Sequence, residues 1–219
     1  MMKKIINIFI VLSLTLLISC GDKQTTNNQI TQNSESIGDS NNILIAYFSV
    51  AENSEVDVIS SASVVTINGE PKGIIKAIAD DIQLETGADM FSILTSTEYP
   101  ANADDVIDYA QQEQNENARP TLTSSIENFE DYDIIFIGYP IWWYDMPQVM
   151  YSFFDEYDFN GKTIIPFCTH YGSRFSNTID TIKSLEPNAN VIENGFTISQ
   201  TDVKNAQKDV SNWIKELNL

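Results

Sequence analysis

The chain has 219 residues, 42% of them apolar, enough for one full-sized domain with appendages. It carries 12 basic against 31 acidic residues, a net charge of −19 at pH 7. A surface that acidic repels phosphate backbones and anionic headgroups, which argues against nucleic acid as a partner and against a basic membrane-binding face.

The first twenty residues stand apart from the rest. Lys3 and Lys4 form a short basic region, and Ile5 to Ile18 is an apolar stretch too short to span a membrane comfortably. Leu17-Ile18-Ser19-Cys20 then precedes Gly21. This pattern is a secretory signal. Its end resembles the lipobox of bacterial lipoproteins, whose cysteine becomes the lipidated first residue of the mature protein. An uncleaved amino-terminal anchor is the alternative. The expectation is a signal over residues 1–20 and an exported domain on the extracytoplasmic side of a bacterial membrane. Acyl chains on Cys20 are then its only membrane contact. Losing residues 1–19 removes Lys3 and Lys4, leaving 10 basic and 31 acidic residues, a net of −21. Residues 21–41 are Thr, Asn, Gln, Ser and Asp with hardly any apolar side chains, a composition expected of a flexible tether.

The domain spans 42–219. Ile43 to Phe48 reads as a strand buried on both faces, ending at Ser49. Val50 to Lys72 is a long excursion, with an extended piece at Val64–Ile67 and an Asn68-Gly69 turn signal. After Gly73 a helical period begins: Ile74, Ile75, Ile78, Ala79 and Ile82, with polar residues opposite. Ala88 to Leu94 contains a second strand, and Ala103 to Asn117 is a polar helix.

Asp133 to Tyr139 is the third strand, stopped by Gly138 and Pro140. Three large aromatics follow, Trp142, Trp143 and Tyr144. They cannot all face the core, because consecutive side chains point in different directions. At least one should stand in the loop, ready for a flat partner; the alternative is that two of them simply plug the sheet edge. Pro147 to Asp155 is a helix, and Asn160-Gly161 a turn. Lys162 to Cys168 is the fourth strand, 169–176 a Gly/Ser loop, and Asn177 to Leu185 a helix. Val191 to Ile198 is the fifth strand. Asp202 to Leu217 is the last helix, with Asp202 placed to cap it. Five strands separated by helices predict an open α/β sheet with helices on both faces.

Several residues are weighed for chemistry. Cys168 ends an apolar run and reads as a small buried hydrophobe. His170 is the one histidine and reads as a polar wall residue. The chain has no Cys/His cluster with zinc spacing, no Gly-rich loop followed by Lys-Ser/Thr, and no Gly-x-Ser-x-Gly elbow.

From residue 42 onward the chain resembles the flavodoxin-like proteins, in a bacterial branch with a long first loop. The resemblance is carried by Ile45-Ala46-Tyr47-Phe48-Ser49, Glu98-Tyr99-Pro100, Glu116-Asn117-Ala118-Arg119-Pro120, Gly138-Tyr139-Pro140-Ile141-Trp142-Trp143 with Met146-Pro147, and Pro166-Phe167-Cys168-Thr169-His170 with Gly172-Ser173. It implies a doubly wound five-stranded parallel sheet of order 2-1-3-4-5. It also implies an FMN site where the first, third and fourth strands end. Pro140, Ile141, Trp142, Trp143 and Tyr144 would then face Thr169, His170, Tyr171 and Gly172 across the flavin ring. Ser49, Ser54, Gly73, Ile74 and Ile75 would lie at its phosphate. Here the sequence departs from the branch, whose helix typically opens Gly-Asn-Thr where this chain has Gly73-Ile74-Ile75. Lys72 or Lys76 is then a candidate for compensation as a point charge. The implied function is electron transfer by bound FMN, with a redox protein or a small-molecule acceptor as partner. A flavodoxin fold without cofactor, acting as a binding module, and an FMN-dependent reductase of a small molecule such as a quinone are the alternatives.

Overall fold

The β-branched run at the start of the domain forms the middle of a parallel sheet. In the computed structural model, which describes residues 42–53, 64–100 and 102–219, β1 (Ile43–Tyr47) has neighbours on both sides. Two later strands are needed before it pairs: β4 (Asp89–Ser92) lies on one side and β5 (Ile134–Pro140) on the other. β6 (Thr163–His170) follows β5, and β7 (Asn190–Val191) and β8 (Phe196–Ser199) both pair with β6. Counting parallel strands along the chain, the order is second, first, third, fourth, fifth, as expected.

Alternation along the strands divides their side chains between two cores. Leu44, Ala46, Ile135, Ile137 and Ile164 face α3 (Ala103–Glu116), α4 (Gln148–Glu156) and α5 (Thr178–Leu185). Ile45, Tyr47, Phe136, Ile165 and Phe167 face α2 (Ile74–Thr86) and α6 (Gln207–Leu217). Gly138 is required where β5 passes Phe167, because a side chain there would run into the phenyl ring.

Several details refine the sequence expectation or differ from it. The long excursion after β1 opens with a short helical turn, α1 (Val50–Asn53). Ser54 and residues up to 63 lie outside the described residues. The extended piece is one arm of an antiparallel hairpin, β2 (Val64–Ile67) with β3 (Glu70–Gly73). Asn68 and Gly69 turn it with φ of +54° and +88°, the conformation that this dipeptide favours.

The fifth strand is also interrupted. Ile164 O accepts from Ile192 N at 2.9 Å and His170 O from Gln200 N at 3.0 Å, so even-numbered β6 residues face the fifth strand. Pro166 is one of these and has no N–H to donate. Opposite it the chain bulges over residues 192–195, four residues against two, before β8 resumes. Thr169 and His170 continue β6 and do not belong to a loop. Finally, α6 begins later than expected. A 3-10 turn, Val203–Asn205, precedes it, and Asp202 makes no side-chain capping bond. Asp202 sits at φ −101° and ψ −9°, outside the extended geometry that aims a capping oxygen at the helix.

Candidate functional site

Beyond Pro140 the chain leaves β5 and makes a tight turn. Trp142 and Asp145 exchange both backbone hydrogen bonds, each 2.9 Å. The two residues between them, Trp143 and Tyr144, have φ of +48° and +63°. Bulky residues in this region cost roughly 1–3 kcal/mol each and persist only where the surroundings hold them. Asp145 is one restraint: its carboxylate accepts from Met146 N at 2.8 Å and from the Tyr151 hydroxyl of α4 at 2.7 Å. Helix α3 is the other: Trp143 Nε1 donates to Ile107 O at 2.8 Å.

The three aromatics take different roles as a result. Trp142 is buried, edge-on to Phe48 and Tyr99 with ring centres 5.8 and 5.6 Å away. Trp143 is 40% exposed and Tyr144 71%. Tyr171, beyond the end of β6, is 80% exposed. Gly172 beside it has φ of +101°, which glycine tolerates, and its N–H donates to His170 Nδ1 at 2.9 Å. That bond assigns the proton of the neutral imidazole to Nε2. Burial, and then the charge of Arg174, hold His170 below its ordinary pKa; Asp202 opposes them.

These walls enclose a cavity of about 410 Å³. Ile141, Trp142, Trp143 and Tyr144 form one side, Tyr171, Gly172 and Ser173 another, and Ile107 and Ala110 of α3 a third. The size and the largely aromatic and aliphatic lining suit a planar organic ligand of a few fused rings. Of the residues singled out from sequence, Ile141, Trp142, Trp143, Tyr144, Tyr171 and Gly172 come together here. Pro140, Thr169 and His170 are buried just behind, in β5 and β6, with Pro140 paired to Thr169.

Sequence reasoning missed the contribution of α3. Ile107 and Ala110 are three residues apart on a mostly polar helix, and Ile107 is exposed, a faint signal. It also missed Glu113, one turn further along α3. Glu113 is buried beside Tyr99, and that burial pushes its carboxyl up to about 7.

The phosphate end implied by the sequence is separate from the cavity lining. Ile74 and Ile75, the first residues of α2, are fully buried among the side chains of the second core. Ser49 is buried and presses on Gly73, and a Cβ at Gly73 would stand 3.4 Å from a carboxylate oxygen of Glu52. Lys72 and Lys76 do not reach toward this point as point charges. Both are bound to Asp80, at 2.6 and 2.7 Å. The ring slot therefore fits a flavin, whereas the described residues at the start of α2 bring one hydroxyl, Ser49, and no unpaired cationic side chain.

An open parallel sheet with an aromatic slot at its carboxyl edge defines a class of α/β ligand-binding domains. The slot lies beyond the carboxyl ends of β5 and β6, the edge at which such sheets bind ligands. A family model described as flavodoxin matches residues 63–217, and the chain belongs to the flavodoxin family. Two solved structures of proteins assigned as flavoproteins are similar over nearly their whole length. The one from Bacteroides eggerthii is 26% identical, covers 81% of this chain and 98% of its own, and has a TM-score of 0.62. The one from Bacteroides uniformis is 26% identical, with 80% and 98% covered and a TM-score of 0.61. A flavoprotein of Lactobacillus acidophilus in complex with FMN shares the fold at 19% identity, with 80% and 99% covered and a TM-score of 0.55. No curated protein sequence matches the chain.

Proposed function

We propose that this protein binds a flavin in the aromatic slot and transfers electrons outside the cytoplasm, tethered to a bacterial membrane through a lipid on Cys20. The observation that carries the reading is the strained turn at Trp143 and Tyr144, held by Asp145 and α3 so that aromatic surface faces Tyr171 and Gly172. Backbone strain maintained against solvent is the mark of a binding loop. The FMN-bound Lactobacillus relative supports flavin as the ligand class. A bound flavin would supply the redox chemistry. The chain's own residues would orient its ring, shield it from water and set access for a redox protein or small-molecule acceptor.

Titration of the purified protein with flavin, followed by quenching of flavin fluorescence, tests this. Saturable quenching that Trp143→Ala weakens at least about tenfold is expected. A colourless protein that quenches no flavin would favour the second reading, a flavodoxin fold kept as a binding module without cofactor. That reading draws support from Glu52 and the two buried isoleucines at the start of α2. The tether has its own test: Cys20→Ala is expected to move the protein from the membrane fraction to the aqueous phase.

A further inference from the structure

We infer that the slot selects a flavin without its 5′-phosphate, a riboflavin-class ligand, because Glu52 already supplies the anion at the start of α2. This rests on the flavin reading of the slot and specifies which flavin it takes.

The start of α2 is where a phosphate on such a ligand would go. A helix of thirteen residues begins there, with first-turn N–H groups that have no partner within the helix and a positive dipole end. It is linked to the slot wall through Phe48, which precedes Ser49 and whose ring meets that of Trp142 at 5.8 Å. Glu52 is brought to the same place by the α1 turn, in which Glu52 N donates to Ser49 O at 3.1 Å. Its carboxylate oxygen stands 3.4 Å from the Cβ position of Gly73, the residue that caps α2. A carboxylate at that end of a helix is favourable in its own right. A phosphomonoester brought there would add nearly two further negative charges within a few ångströms.

No cationic side chain described nearby is left to offset that repulsion. Lys72 and Lys76 are both occupied by Asp80. Ile74 and Ile75 are turned into the core and bring no donor side chain. The buried Tyr47 hydroxyl registers the same carboxylate. Burial first, and then the charge of Glu52, push it up to about 12. A ribityl chain ending in a hydroxyl reverses the interaction, because a hydroxyl donates to a carboxylate where a phosphate is repelled by it.

The test is to titrate the purified full-length protein separately with riboflavin and with FMN, reading fluorescence quenching. The wild-type protein is expected to bind riboflavin at least about tenfold more tightly than FMN, and Glu52→Gln to move that ratio toward FMN by about tenfold. FMN binding as tightly as riboflavin or more tightly, or a ratio that Glu52→Gln leaves unmoved, would overturn the inference while leaving the slot standing. Binding of neither flavin would instead overturn the flavin reading, and this inference with it. The wild-type ratio needs no variant, so the inference stays open to refutation even if Glu52→Gln fails to fold.

Discussion

Tyr144 is held in a left-handed conformation while most of its side chain is in solvent. It contributes little to packing, so the strain is retained for the surface it presents. Tyr144→Gly is accordingly expected to raise stability by about 0.5–1 kcal/mol in chemical denaturation and to weaken flavin binding. Asp145→Ala removes two restraints on the same turn. It is expected to lower both, with a stability loss of about 1–3 kcal/mol. Glu113 makes a different kind of prediction. Its carboxyl is raised from 4.5 to about 7 in the folded protein by burial, so the folded state holds its proton more tightly than the unfolded chain does. Its contribution is full below the unfolded value and is lost as pH rises toward 7. Denaturation midpoints should therefore fall between pH 5 and 7, and Glu113→Gln should flatten that slope. His170 has the opposite sign. Its depressed pKa means that stability is lost as pH falls below the ordinary histidine range, where the proton breaks the acceptor role of Nδ1 toward Gly172.

Among the elements, the closest fit is between β5 and β6, where Gly138 meets Phe167. Gly138→Ala forces a methyl into the ring, and a loss of about 1–3 kcal/mol or more is expected by denaturation. The start of α2 gives a second test. Read from sequence, Ile74→Asn and Ile75→Thr look like repairs to a phosphate loop. In the structure both side chains are core, with exposures of 1% and 0%. The pair should lose several kcal/mol of stability, because it buries an amide and a hydroxyl in an apolar layer, and it should gain no FMN affinity. Glu52, on its own short turn, is the residue to change instead.

For the molecule as a whole, the dominant property is charge. Reduced flavin is anionic, and an acidic protein of net charge −19 disfavours it. The bound flavin is expected to have a lower midpoint potential than the free one, with the gap narrowing at high salt as screening increases. Redox titration at two ionic strengths checks this, and a potential at or above that of free flavin would refute it. The same charge suits an acyl tether better than adhesion to anionic lipid.

Local patterns were enough to determine the order of elements. Apolar runs of strand length, helical periods and turn dipeptides such as Asn68-Gly69 place nearly every strand and helix, because these signals span only a few neighbours. Much of one slot wall was also legible, since Trp142-Trp143-Tyr144 is conspicuous and sits after a buried strand. Tertiary structure alone decided the rest. Pro166 breaks the fifth strand only because its missing N–H faces that neighbour. Ile107 and Ala110 become a wall only because Trp143 is bonded to α3. Ile74 and Ile75 are core, and Glu52 takes the place beside Gly73, because the turn after β1 folds back over the start of α2. Each of these depends on which distant groups meet, and residue periodicity along a chain carries no record of that.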